Sequence, residues 1–145
     1  MKITKTLLLC ALIGAVPTSA ILTGCGGSGV ANLLGGKSIA GNYTGTFQVT
    51  SGPSTGQSGP VSLTIASNGA ISGSVTDTVN KISAPFTGTA NTSNGAFSVS
   101  GLFGQTGTSG NANGTITING TIISGTGNFS LSNGNNGIIT FSNTS

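Results

Sequence analysis

The chain is predicted to be all-β: an antiparallel eight-stranded up-and-down meander forming a closed or partly open β-barrel, after an N-terminal signal helix and a flexible tether. Beyond Ile39 apolar residues recur at every second position, the period of a strand, and no helical periodicity appears. Asn-Gly pairs at 68–69, 94–95 and 119–120 separate the runs and favour hairpin turns. Only 3% of residues are charged, so Ser, Thr, Asn and Gly must supply the polar face of each strand.

Residues 1–24 are expected to be a signal peptide. Lys2 and Lys5 form a positive start, and Leu7 to Val16 is an apolar core well short of the roughly 20 residues that span a bilayer. A plain secretory signal would be cut after Thr18-Ser19-Ala20. Leu22-Thr23-Gly24-Cys25, however, resembles the lipobox of bacterial lipoproteins. The resemblance implies that the Cys25 thiol takes a diacylglycerol and that cleavage leaves Cys25 as the first mature residue. Acyl chains at about 0.8 kcal/mol per buried methylene make such a cysteine a stable membrane anchor. It further implies a place in the bacterial cell envelope, and the outer membrane if the host is Gram-negative, because Gly26 rather than Asp follows the cysteine.

Residues 25–38 read as the lipidated cysteine and a Gly-rich tether whose large apolar residues are Val30, Leu33 and Leu34; a short helix near the membrane is the other reading. Cys10 lies in the signal and Cys25 is assigned to lipid, so the domain at 39–145 has no disulfide and must be stable through its core.

The first strand, about Gly41 to Thr50, sends Tyr43, Gly45, Phe47 and Val49 inward and Asn42, Thr44, Thr46 and Gln48 outward. Val61, Leu63 and Ile65 mark the second strand, and Ile71, Gly73 and Val75 the third, joined through Ser67-Asn68-Gly69. The fourth turns Ile82, Ala84, Phe86 and Gly88 inward, and the fifth, after Ser93-Asn94-Gly95, turns Phe97, Val99 and Phe103 inward. Ile116 and Ile118 define the sixth, which meets the seventh at Asn119-Gly120; Ile123, Phe129 and Leu131 face inward on the seventh, and Ile139 and Phe141 on the last. Gly125 and Gly127 suggest a bend or bulge in the seventh strand.

The phrases SNGAISGSV at 67–75, SNGAFSVSG at 93–101 and INGTIISGT at 118–126 repeat a turn followed by an alternating strand. Their irregular spacing fits a meander better than a solenoid of fixed period. Eight sequential strands protect their edges by closing, and inward Gly at 45, 73, 88 and 125 permits tight curvature. Pro85 opposes closure, since it cannot donate to a ladder and calls for an edge or a bulge.

Gly41-Asn42-Tyr43 on the first strand resembles the Gly-x-aromatic phrase of lipocalins and avidins, both eight-stranded meanders. The resemblance implies the architecture alone. The chain has Tyr43 where lipocalins carry Trp, has no Arg to pack beneath it, and has none of the Trp residues that line an avidin pocket.

Removal of the signal leaves Lys37 and Lys81 against Asp77, a net side-chain charge of +1, which offers nucleic acid no electrostatic footprint. With no His, Glu or Arg, general bases and phosphate clamps are missing, and a Ser activated by Lys81 near Asp77 is the sole imaginable mechanism. No enzyme activity, catalytic residue, cofactor or metal site is expected. The six Asn-x-Ser/Thr triplets follow from composition.

Two functions fit. The first is a lipid-anchored envelope lipoprotein without catalytic activity, acting as a surface, scaffold or interaction protein with envelope partners. The alternative is a lipocalin-like carrier of a small apolar ligand, its pocket lined by Tyr43, Phe47, Phe86, Phe97 and Phe129. What separates them is whether inward side chains fill the interior. The anchor is tested by fractionating cells that express Cys25→Ser: the variant should leave the membrane fraction, and its retention there would contradict the lipobox reading.

Overall fold

The computed structural model describes residues 36–102 and 108–143. The expected signal segment, Cys25, the expected tether up to residue 35 and Phe103 lie outside them. Eight antiparallel strands follow one another: β1 (Gly41–Ser51), β2 (Ser58–Ile65), β3 (Ala70–Asp77), β4 (Ile82–Ala90), β5 (Ala96–Leu102), β6 (Ser109–Asn119), β7 (Ile122–Leu131) and β8 (Asn136–Asn143). Each pairs with its neighbours in sequence, and β1 pairs with β8 from Tyr43↔Asn143 to Ser51↔Asn136, so the sheet is a closed up-and-down barrel. No strand edge is left for another chain to pair with.

Alternation drives this arrangement. Val61, Leu63, Ile65, Ile71, Val75, Phe86, Phe97, Val99, Ile116, Ile139 and Phe141 are all buried in one continuous core, while the residues between them are mostly exposed Ser, Thr and Asn. Full burial of such a side chain is worth about 1.5–3 kcal/mol, which lets a domain without disulfides hold together. The outer wall is stitched by hydroxyl and amide contacts across strands, such as Thr64 Oγ1 donating to Asn42 Oδ1 at 2.9 Å and the Thr46–Thr140 pair at 3.4 Å. An apolar interior inside a polar wall is the reverse of a membrane-spanning barrel, whose lipid-facing band must be apolar.

The inward glycines answer to the rings. Phe47 pairs across strands with Gly59, Phe86 with Gly73 and Gly101, Phe97 with Gly114, Phe129 with Gly137, and Phe141 with Gly125 and Gly45. A methyl added at Gly125 would stand 2.1 Å from the Phe141 ring, at Gly73 2.6 Å from Phe86, at Gly114 2.7 Å from Phe97 and at Gly137 2.6 Å from Phe129. Each ring thus lies in the space its neighbour's missing side chain leaves. Edge-to-face contacts of Phe141 with Tyr43 (5.7 Å) and Phe97 (5.4 Å) join the rings of the packed half.

Two expectations are corrected. Gly125 and Gly127 produce no bulge: β7 pairs with β6 and β8 in continuous register, and these glycines make room for Phe141 and Phe97. The register shift lies instead on β1, between Val49 and Ser51. Pro85 does not prevent closure. It pairs with Ser74 of β3, while the β4–β5 register ends at Phe86↔Gly101, one residue short of it, so the missing N–H falls at the margin of a ladder.

The two ends of the barrel differ. One gathers the turns at 66–69, 91–95 and 120–121 and receives the incoming segment. There Ile39, 1% exposed, joins the core, the buried Tyr43 hydroxyl donates to the Ile39 carbonyl at 2.5 Å, and Lys37 Nζ donates to the Gly120 carbonyl. Asn143 closes the same end, its Oδ1 accepting from the Ile123 N–H at 2.9 Å and its Nδ2 donating to the Thr121 carbonyl at 3.1 Å. Gly69 and Gly134, at φ +84° and +86°, turn matching hairpins in a conformation that only glycine adopts without strain. In each hairpin the preceding Asn, Asn68 or Asn133, accepts a backbone N–H two residues on.

Gly125→Ala should cost at least about 1–3 kcal/mol of unfolding free energy, the usual range for overpacking, and pairing it with Phe141→Leu should recover part of the loss. Equilibrium denaturation of the two variants checks this.

Candidate functional site

The opposite end carries the connections at 52–57, 78–81 and 132–135 together with Thr108, and beneath it the barrel is hollow. A cavity of about 520 Å³ opens there, within the 300–1,000 Å³ or so typical of small-ligand sites. Strand alternation builds its wall: Phe47 and Val49 from β1, Val75 from β3, Ile82 from β4, Ala112 from β6, Phe129 and Leu131 from β7, and Ile139 from β8. Phe47 and Phe129 meet edge-to-face at 6.2 Å. The rim is polar and mostly amide, formed by Ser54, Gln57, Asp77, Asn80, Thr108, Asn133 and Asn135.

Asn135 fixes the shape of that rim. It is 2% exposed, its Oδ1 accepts the Ser54 N–H at 2.8 Å, and its Nδ2 donates to Ser54 Oγ at 3.1 Å. One side chain therefore ties the β7–β8 turn to the β1–β2 turn with its amide satisfied on both sides. Its backbone carbonyl accepts from Leu131 N–H at 2.8 Å, closing its own turn.

Asp77 is the one carboxylate side chain of the protein. Partial burial pushes its pKa upward, but hydrogen bonds from the Asn80 side chain at 2.7 Å, the Asn80 N–H at 3.2 Å and the Val79 N–H at 2.9 Å outweigh that and hold it below the ordinary carboxylate value. It organises the β3–β4 turn, where Lys81 sits exposed at φ +55°.

Of the five aromatic residues assigned to a pocket from the sequence, Phe47 and Phe129 line the cavity. Tyr43, Phe86 and Phe97 do not: they are buried in the packed half, against Ile39, Gly73 and Gly114 respectively. Their inward phase is as expected, but phase does not reveal depth along the barrel axis. Val75, Ile82, Leu131 and Ile139 carried the same inward signal and line the site. Burial holds the Tyr43 phenol above its ordinary pKa. The stability it supplies is therefore present below the ordinary value and lost as pH rises through the folded one.

No protein-family model matches the chain, and no curated protein does either. Among solved structures, the barrel is similar to apo short afifavidin, at 11% identity and TM-score 0.47, covering 72% of this chain and 95% of that one. Rhizavidin matches at 16% and 0.46 over 70% and 82%, and the rhizavidin–biotin complex at 18% and 0.47 over 75% and 98%. These neighbours are avidin-like eight-stranded barrels.

Because Asp77 titrates below its ordinary value in the folded chain, the stability it contributes is complete above the unfolded pKa and disappears as pH falls through the folded one. Denaturation midpoints should drop below about pH 4, and Asp77→Asn should flatten that acid limb.

Proposed function

We propose that the protein is a non-catalytic binding protein that carries a small apolar molecule in the open half of its barrel while tethered to the bacterial cell envelope through lipid on Cys25. The single observation behind carriage is the cavity of about 520 Å³: its apolar wall is built on strands, and its amide-rich rim on the turns that join them. A rigid, preformed apolar pocket loses little freedom when it binds. The expected surface or scaffold role has the uncharged outer wall behind it, but no feature of that wall selects a partner.

The position of the chain's N-terminal side supports the tethered part of the reading. Residues 37–40 join the barrel at its closed end, opposite the mouth. An anchor at Cys25 would turn the closed end toward the bilayer and leave the mouth facing water, where a carrier exchanges cargo. The ten residues from 26 to 35 extend at most about 35 Å, enough to clear the headgroups without crowding the barrel.

Native mass spectrometry of the protein released gently from its own host should show a discrete adduct above the chain mass. Leu131→Trp, which places an indole in the half-buried mouth, should abolish the adduct while leaving the chain folded. A bare wild-type chain together with cavity residues that respond to no apolar compound would sink the carrier reading.

A further inference from the structure

The geometry points to an uncharged amphiphile as the occupant of the cavity: an apolar body seated beside Phe47 and Phe129, a single hydroxyl, carbonyl or amide head at the rim, and no carboxylate. This rests on the carrier reading above and narrows it to a ligand class. The deep wall is hydrocarbon, so a polar group carried into it would lose water and find no partner. The head group therefore stays at the mouth.

Most of the rim amides are already engaged there. Asn135 is bonded to Ser54 through both ends of its amide, and Asn80 Nδ2 donates to Asp77. Gln57 differs. It lines the cavity half-buried, and its carboxamide has no hydrogen-bond partner among the described residues, which leaves two donors and an acceptor for a neutral head.

Charge at the rim runs against an anion. Among the described residues Asp77 is the one acidic or basic side chain lining the cavity, and three hydrogen bonds from its own turn hold its carboxylate in place. Lys81, the cation on that turn, is exposed and does not line the cavity. A carboxylate head would give up water beside a fixed negative charge with no cation facing it.

The test compares decanamide with decanoate, which share one hydrocarbon body and differ in charge at neutral pH. Methyl-resolved NMR titrations would use the whole chain carrying Cys25→Ser, with spectral dispersion reporting the fold of every variant. Decanamide should shift the methyls of Val75, Ile82, Leu131 and Ile139, leave those of Ile65 and Ile116 in place, and bind about tenfold more tightly than decanoate. Asp77→Asn should narrow that gap, and Gln57→Ala should weaken decanamide by about three- to tenfold. Decanoate binding as tightly as decanamide, or a gap that Asp77→Asn leaves unchanged, would overturn the ligand class while leaving a binding cavity. Unchanged decanamide affinity in Gln57→Ala would overturn the assigned head contact. Cavity methyls that respond to neither compound would overturn the carrier reading itself.

Discussion

The fit of inward aromatic rings into the gaps left by inward glycines on neighbouring strands governs the rest of this structure. An eight-stranded barrel has room for a limited set of inward side chains, and five phenylalanines of the described strands each pair with at least one glycine across the sheet. The glycines cost backbone entropy and give no burial of their own, but they let the rings lie against the wall. Where rings gather, around Phe97, Phe141 and Tyr43, the interior is full. Among the described residues the rings give out above Phe47 and Phe129 towards the other end, the remaining inward residues there are aliphatic, and the barrel is hollow. Packing and cavity are two consequences of one distribution of rings.

Near-absence of charge shapes the exterior in the same way. Lys37 and Lys81 with Asp77 are the only charged side chains beyond residue 24, and each belongs to a terminus or a turn region rather than the middle of a strand. Strand faces then hold together through Thr, Ser and Asn contacts that salt screens little, and closure removes the edges that such an uncharged surface would otherwise expose to aggregation. The termini of the described barrel and the turns at 66–69, 91–95 and 120–121 share the closed end, while those at 52–57, 78–81 and 132–135 shape the mouth. A rigid floor and a polar rim around an apolar well are the features on which the proposed carriage rests.

Much of this was legible in the residues, because period-two alternation and Asn-Gly turns are local signals. The inward sets of β1 to β4, Phe97 and Val99 on β5, and the hairpin at 66–69 follow directly from them. The first half of β6 did not announce itself: Asn111-Ala112-Asn113-Gly114 alternates polar with small residues, and Ala112 is buried between Val99 and Phe129 of the two neighbouring strands. Pro85 and the pair Gly125 and Gly127 misled for a related reason. Their tolerance depends on where a neighbouring ladder stops and which ring a neighbour supplies, and both are facts about partners distant in sequence. The site was half visible: Phe47 and Phe129 were identified, whereas Tyr43, Phe86 and Phe97 share their phase but sit on the packed side of the axis. Asn135 was hidden, since one Asn among many in turns signals its role only through its bonds to Ser54, far away in the chain.

The central claim is a barrel packed at the end where the chain enters and hollow at the other. Xenon occupies dry apolar cavities and avoids close-packed interiors, so diffraction from xenon-pressurised crystals tests it most directly. Xenon density beside Phe47, Phe129 and Ile139, with none among Tyr43, Phe97, Phe141 and Ile116, is the predicted result. Xenon within that second cluster, or in neither place, would contradict the account.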